Sequence, residues 1–183
     1  PIDGEAGIGY VLRSGFDLPP LMFMRDEIVA LVTGARMVRA WGGITMARAA
    51  EEALVKIEAI LPQEERSRVS EAKIFAPPME MTDQLRHVID ASERATETCN
   101  VLSFDYCDQN GATTTRSVHP LGLSFWGKVW TLIAWCELRD DFRMFRLDRI
   151  TGLTCMDRRF KPTRERSLAE CLRRIEAQCG RRP

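Results

Sequence analysis

The chain is poor in histidine. It has two in 183 residues, and His87 and His119 alone cannot build a histidine metal cluster or a histidine-rich catalytic centre. No Gly-x-Ser-x-Gly elbow is present to make a nucleophile of Ser103, Ser117 or Ser124 beside His119, so hydrolysis is disfavoured and the reading is a protein that is not an enzyme and needs no cofactor or metal. No apolar run approaches the roughly 18 residues that span a bilayer, and no basic segment with an apolar core opens the chain. A cytoplasmic protein without a membrane partner is expected. Six cysteines, Cys99, Cys107, Cys136, Cys155, Cys171 and Cys179, include no Cys-x-x-Cys pair, which favours reduced structural thiols over a zinc site or a disulfide framework. There is no internal repeat and no low-complexity tract. The first residue is proline rather than methionine, so the sequence reads as a fragment with something upstream missing.

Net charge is also lacking, but its distribution is uneven. Residues 1–100 carry 11 basic and 16 acidic side chains, residues 101–150 carry 6 of each, and residues 158–183 carry 9 basic and 3 acidic. Phosphate neutralisation supplies most of the affinity of a duplex binder, so an acidic first half argues against free-standing binding of duplex DNA. A hydrophobic content of 45% is ample for a packed core.

The glycines at 4, 7 and 9 have neither a strand before them nor a helix after them, so they predict a tight hairpin leading into a strand rather than a phosphate loop. Pro19 and Pro20 make a rigid linker. Apolar residues at helical spacing then predict three helices. The first covers about residues 25–39 with Ile28, Leu31, Val32, Ala35 and Val38 on one face, and ends at Gly42 and Gly43. The second covers about 45–61 with Ala50, Ala53, Leu54, Ile57 and Leu61, and pairs with the first as an antiparallel hairpin. After a polar linker at 62–78, with a short extended piece near Ile74 and Phe75, Thr82 caps a third helix carrying Leu85, Val88, Ile89 and Ser92. From Val101 the period changes to two. About five short strands follow, with turns at Asn110 and Gly111, at 126–128 and at 137–141, and a last short strand at 153–156. They point to a small barrel or a strongly bent sheet. A C-terminal helix at about 167–178 starts at Ser167 and places Leu168, Cys171, Leu172 and Ile175 on one face.

The long hairpin at residues 129–150 holds the unusual chemistry. Arg143, Arg146 and Arg149 recur every third residue among Phe145, Leu147 and Ile150, so an alternating strand cannot point all three the same way. They either pair with Glu137, Asp140, Asp141 or Asp148 at the surface, or hold an anion, because the guanidinium fork suits phosphate and carboxylate. Phe125, Trp126, Trp130 and Trp135 lie nearby, either as core or as stacking platforms for nucleotides.

Trp130, Thr131 and Leu132, preceded by the run from His119 to Leu123 and followed by the strand from Phe145 to Ile150, resemble the WYL domain of bacterial transcriptional regulators of the YafY type, and the similarity runs almost end to end. The resemblance implies an α+β fold in which N-terminal helices pack with a small Sm-like or SH3-type β-barrel and a C-terminal helix. It divides the chain into the remnant of a winged-helix wing and linker at 1–20, a helical linker and dimerisation region at 21–98, the WYL barrel at 99–160, and a C-terminal helix and tail at 161–183. It implies an effector-binding, dimerising portion of a regulator that senses an anionic ligand, a nucleotide or single-stranded nucleic acid, through His119, Thr131, Arg143, Arg146 and Arg149. The partners so implied are a second copy of the chain and that ligand, with duplex DNA reached only through a missing N-terminal helix-turn-helix. Thr131 departs from the family signature, which has tyrosine there. Threonine can hydrogen-bond a ligand but cannot stack on a base. The competing reading is a structural dimerisation module that senses nothing.

Overall fold

A computed structural model of the chain describes residues 2–5, 9–12, 22–64, 66, 76–78 and 80–179, with backbone alone at 2–5, 9–12, 178 and 179. The expected linkers around Pro19 and around Ile74 lie outside the described residues. Strands β1 (Ile2–Glu5) and β2 (Gly9–Leu12) pair antiparallel, which is the hairpin expected from the early glycines. Helices α1 (Arg25–Trp41) and α2 (Ile44–Ile60) follow and turn sharply at Gly42 and Gly43. Their shared seam is Val32 against Leu54 and Leu61, flanked by Ile28, Ala35 and Ile57. Leu31, placed on the apolar face by spacing, is 45% exposed.

Helix α3 (Asp83–Thr98) begins where its cap requires. The Thr82 hydroxyl accepts the Leu85 N–H at 3.1 Å, and Val88, Ile89, Ser92 and Ala95 on one face are buried. Five strands come next: β3 (Asn100–Cys107), β4 (Thr113–Phe125), β5 (Trp130–Cys136), β6 (Asp141–Arg146) and β7 (Ile150–Arg159). They form one antiparallel sheet in the order β6-β5-β4-β3-β7. The last strand lies beside the first, and a 3-10 turn (Leu147–Arg149) carries the chain from one sheet edge to the other, which is the small-barrel topology that was expected. Val118, Leu132, Ala134, Cys136 and Phe145 fill the inside with Leu102 and Phe104, and α3 closes one end with Val88 and Ile89.

One strand carries a bulge, and another is longer than expected. The segments before and after Pro120 are one 13-residue strand, β4, because the register slips between Pro120 and Gly122 and the bulge accommodates a residue that has no N–H to give. The last strand is 10 residues long, well beyond 153–156. Helix α4 (Leu168–Cys179) starts under Ser167, whose hydroxyl accepts the Glu170 N–H at 3.2 Å. It crosses the outer face of the sheet. Cys171 is buried there, whereas Leu172, expected on the same apolar face, is 43% exposed.

Phe104 is enclosed by Tyr106 and Phe145 in edge-to-face geometry, with ring centroids 6.5 and 5.3 Å away. Phe104→Ala is expected to cost about 3–5 kcal/mol in urea unfolding, against less than about 0.5 kcal/mol for Leu172→Ala.

Candidate ligand site

Alternation on β5 decides where the chemistry goes. Leu132, Ala134 and Cys136 face the core, so Thr131, Ile133 and Trp135 face outwards. Register builds three outward rows: Ser124, Thr131 and Arg146; then Gly122, Ile133 and Met144; then His119, Trp135 and Phe142. Helix α4 lies over the second and third rows. A Cβ on Gly122 would come within 3.1 Å of the Leu168 side chain, so the bare glycine is what admits the helix. The Arg166 guanidinium sits 4.5 Å over the Trp135 ring, and that of Arg174 sits 5.0 Å over Phe142.

The five residues expected to form one site are therefore divided. Thr131 and Arg146 are direct cross-strand neighbours. His119 lies in the row four residues along β5, about 13 Å away at the rise of an extended strand. Arg143 is opposite Ala134, on the other face from Arg146. Its guanidinium bonds Asp141 at 2.6 Å and the Phe142 carbonyl at 2.7 Å. Arg149 belongs to the 3-10 turn rather than to a strand.

Arg146, the cross-strand neighbour of Thr131, pairs with Asp148, which Arg149 follows in the chain. The Arg146 fork donates to both Asp148 oxygens, at 3.0 and 2.7 Å. That hydrogen bond, more than the charges of Arg146 and Arg149, holds the Asp148 carboxyl below its usual range against the opposing effect of burial. The Arg146 and Asp148 side chains are each 41% exposed, so the pair contributes little to stability and its groups remain accessible. Among the described residues Arg149 makes no hydrogen bond; it acts on Asp148 through its charge. The Thr131 hydroxyl is buried and engaged, accepting from the Trp126 indole N–H at 3.0 Å and donating to the Ser124 carbonyl at 3.4 Å. Trp126 itself is 65% exposed, so its ring is the accessible aromatic surface beside this cluster.

His119 belongs to a second, long-range cluster that sequence reasoning missed. Its Nε2 lies 2.8 Å from Glu137 Oε1, and its ring stacks on Phe160 at 4.7 Å. Arg158 forks onto both Glu137 oxygens at 2.7 and 2.9 Å. These partners are 18 to 41 positions from His119, so no local pattern announces them. A third feature is a groove of about 290 Å³ between β6 and α4, lined by residues 141–144 with Cys171, Arg174 and Ile175; of the expected site residues it includes only Arg143. Among the described residues no group of three or more His, Cys, Asp or Glu side chains could hold a metal.

The small barrel with its capping helix and arginine-bearing hairpin defines a class. Residues 87–155 match the family model of the WYL domain. Over 59 residues it is 36% identical to the uncharacterized HTH-type transcriptional regulator YobV of Bacillus subtilis (strain 168), a match covering 32% of this chain and 19% of that protein. Among solved structures it is similar to proteasome accessory factor B/C (PafBC) of Arthrobacter aurescens, with a TM-score of 0.42 and 23% identity over 78% of this chain and 22% of that one. The matched portion is about a fifth of either relative.

The Arg158 hydrogen bonds are the largest influence on Glu137; they outweigh burial and, with His119, bring its carboxyl pKa down from 4.5 to about 2. A depressed carboxyl pKa contributes stability that is present above pH 4.5 and lost as pH falls through about 2. A site-resolved carboxyl NMR titration is expected to find the Glu137 midpoint near 2, and to find it moved back towards 4.5 in Arg158→Met.

Proposed function

We propose that the chain is the effector-binding and dimerising portion of a bacterial transcriptional regulator, and that its WYL domain senses an anionic ligand, a nucleotide or single-stranded nucleic acid. The observation that carries this reading is the fork of Arg146 onto one accessible carboxylate, Asp148, with Arg149 next in the chain and with the cross-strand neighbour Thr131 bonded to an exposed indole, Trp126. Guanidinium groups already desolvated on one side and held by a replaceable carboxylate are suited to phosphate. The regulatory role is supported by the WYL match and by the relative named as an HTH-type regulator. Arg146 and Arg149 bind the ligand and Thr131 sets the floor of the site, while Arg143 on the opposite face and His119 in its own cluster stand outside it. Duplex DNA is read by a helix-turn-helix outside this chain, and the chemistry is binding rather than catalysis.

The alternative, a structural module that senses nothing, is favoured by the local ion pairs of Arg143 with Asp141 and of Arg146 with Asp148. Calorimetric titration with a panel of nucleotides and short oligonucleotides separates the two. Arg146→Ala and Arg149→Ala are each expected to weaken binding about tenfold, the loss of one charge-assisted hydrogen bond, with little change in melting temperature. If the parent binds none of the panel, or all variants bind as it does, the structural module takes the place of the sensor.

The dimerisation surface lies on the hairpin of α1 and α2, where Leu31, Val55 and Ile60 are exposed at 45%, 59% and 82%. Light scattering at tens of micromolar is expected to give twice the 20.8 kDa mass of the chain. A monomer mass there would remove the dimerising role.

A further inference from the structure

The corner between α1 and α2 is completed by groups from α3 and β5. A helix leaves its last carbonyls without partners, and those of α1 find none in its own side chains. Arg86, on α3, donates to the Gly42 carbonyl at 2.6 Å and to the Ala40 carbonyl at 2.8 Å, with a longer 3.5 Å contact to Arg39. Trp130, on β5, donates its indole N–H to the Trp41 carbonyl at 2.7 Å. The opening of α2 is treated the same way. Its N-cap is Gly43, which has no side chain to offer, and Asp90 of α3 accepts the Thr45 N–H at 3.2 Å and the Thr45 hydroxyl at 3.3 Å. Arg86 and Asp90 are one helical turn apart on α3, a cation at the negative end of one helix and an anion at the positive end of the next.

The fit leaves no slack. A Cβ on Gly43 would lie 2.1 Å from Asp90 Oδ1 and 3.1 Å from the Ile89 side chain, and one on Gly42 would lie 2.6 Å from the Val38 carbonyl. Gly43 lets α3 reach the backbone of the corner directly, while Gly42 lets the end of α1 and the start of α2 close on each other. Aromatic rings extend the contact: Trp41 lies 5.8 Å from Phe125, which lies 5.0 Å from Trp130.

We infer that this corner is a transmission joint, in which Arg86, Asp90 and Trp130 fasten the α1–α2 hairpin to the WYL barrel so that a rearrangement of β5 is carried to α1. Trp130 is the positioning residue at its centre. It adjoins Thr131 on the same strand, and the two point to opposite faces: Thr131 to the arginine cluster, Trp130 to the helix end. The signalling role of the joint rests on the sensing function proposed above; its mechanical role does not.

Amide hydrogen exchange on the full chain tests it, because exchange reports the opening of the hairpin and of the barrel separately. In Arg86→Met with Trp130→Phe, which keeps bulk and ring but removes the donors, exchange across 25–60 is expected to speed up about tenfold or more while that of β3 to β5 stays as in the parent. Unchanged exchange in the hairpin, or an equal rise in both regions, would overturn the joint. If the double variant does not fold, Trp130→Phe alone is read in the same way. A second arm adds the single-stranded probe pentathymidylate. It should alter exchange across 25–60 in the parent, and in Trp130→Phe it should bind with parental affinity but leave that region unaltered. Binding without any effect on 25–60 in the parent would overturn the signalling role. Absence of binding to the parent overturns the sensing function instead, while the first arm still decides the joint.

Discussion

The fold depends on β5, an inner strand that is buried on both faces. Leu132, Ala134 and Cys136 of β5 enter the barrel, and Thr131, Ile133 and Trp135, pointing the other way, are also buried. A strand with two apolar faces needs two covers, and the chain supplies one from each side. The barrel interior, closed by α3, is the first. Helix α4, seated on Gly122 and held by guanidinium groups over Trp135 and Phe142, is the second. The polar chemistry is displaced to the two ends of β5, where cover is thinnest. One end holds Thr131 with Arg146, Arg149 and Asp148; the other holds His119 with Glu137, Arg158 and Phe160.

The covers differ in kind. On the inside the contacts are apolar and close-packed, Phe104 and Phe145 meeting edge to face at 5.3 Å. Outside, long cationic side chains lie on aromatic rings, with ion pairs from Arg166 to Asp140 and from Arg174 to Asp141. Contacts of that sort weaken with added salt, and the apolar interior does not. High ionic strength therefore acts on the C-terminal helix before it acts on the barrel.

Helices were the most legible part of the sequence, because caps and breakers are local. Thr82 and Ser167 cap α3 and α4, and the Gly42 and Gly43 corner was visible as a stop. The register slip at Pro120 was not legible, since it depends on β5, a strand not yet reached along the chain. In the site, period-two alternation was enough to say that the three arginines could not all point the same way, and Arg143 does face away from Arg146. What local pattern could not supply was the company each residue keeps. Glu137 and Arg158 reach His119 across strands, and the α1 carbonyls reach Arg86 and Trp130 across as many as 89 positions. The same limit applied to the glycines of the corner. They read as a helix stop, whereas their tight approach to Asp90 depends on a helix forty residues later.

Asp148 gives the arginine cluster a threshold. A carboxylate tethered two residues from Arg146 and one from Arg149 competes for those guanidinium groups at an effective concentration in the millimolar range or above, which dilute free monoanions do not match. Chloride or a single carboxylate would gain nothing by displacing it. A polyanion could, because it offers several charges at once and can engage both arginines while Asp148 turns out to solvent. In the sensing reading proposed above, the tethered acid is a valence filter, quiet towards the simple salts around it and open only to something that carries more than one negative charge.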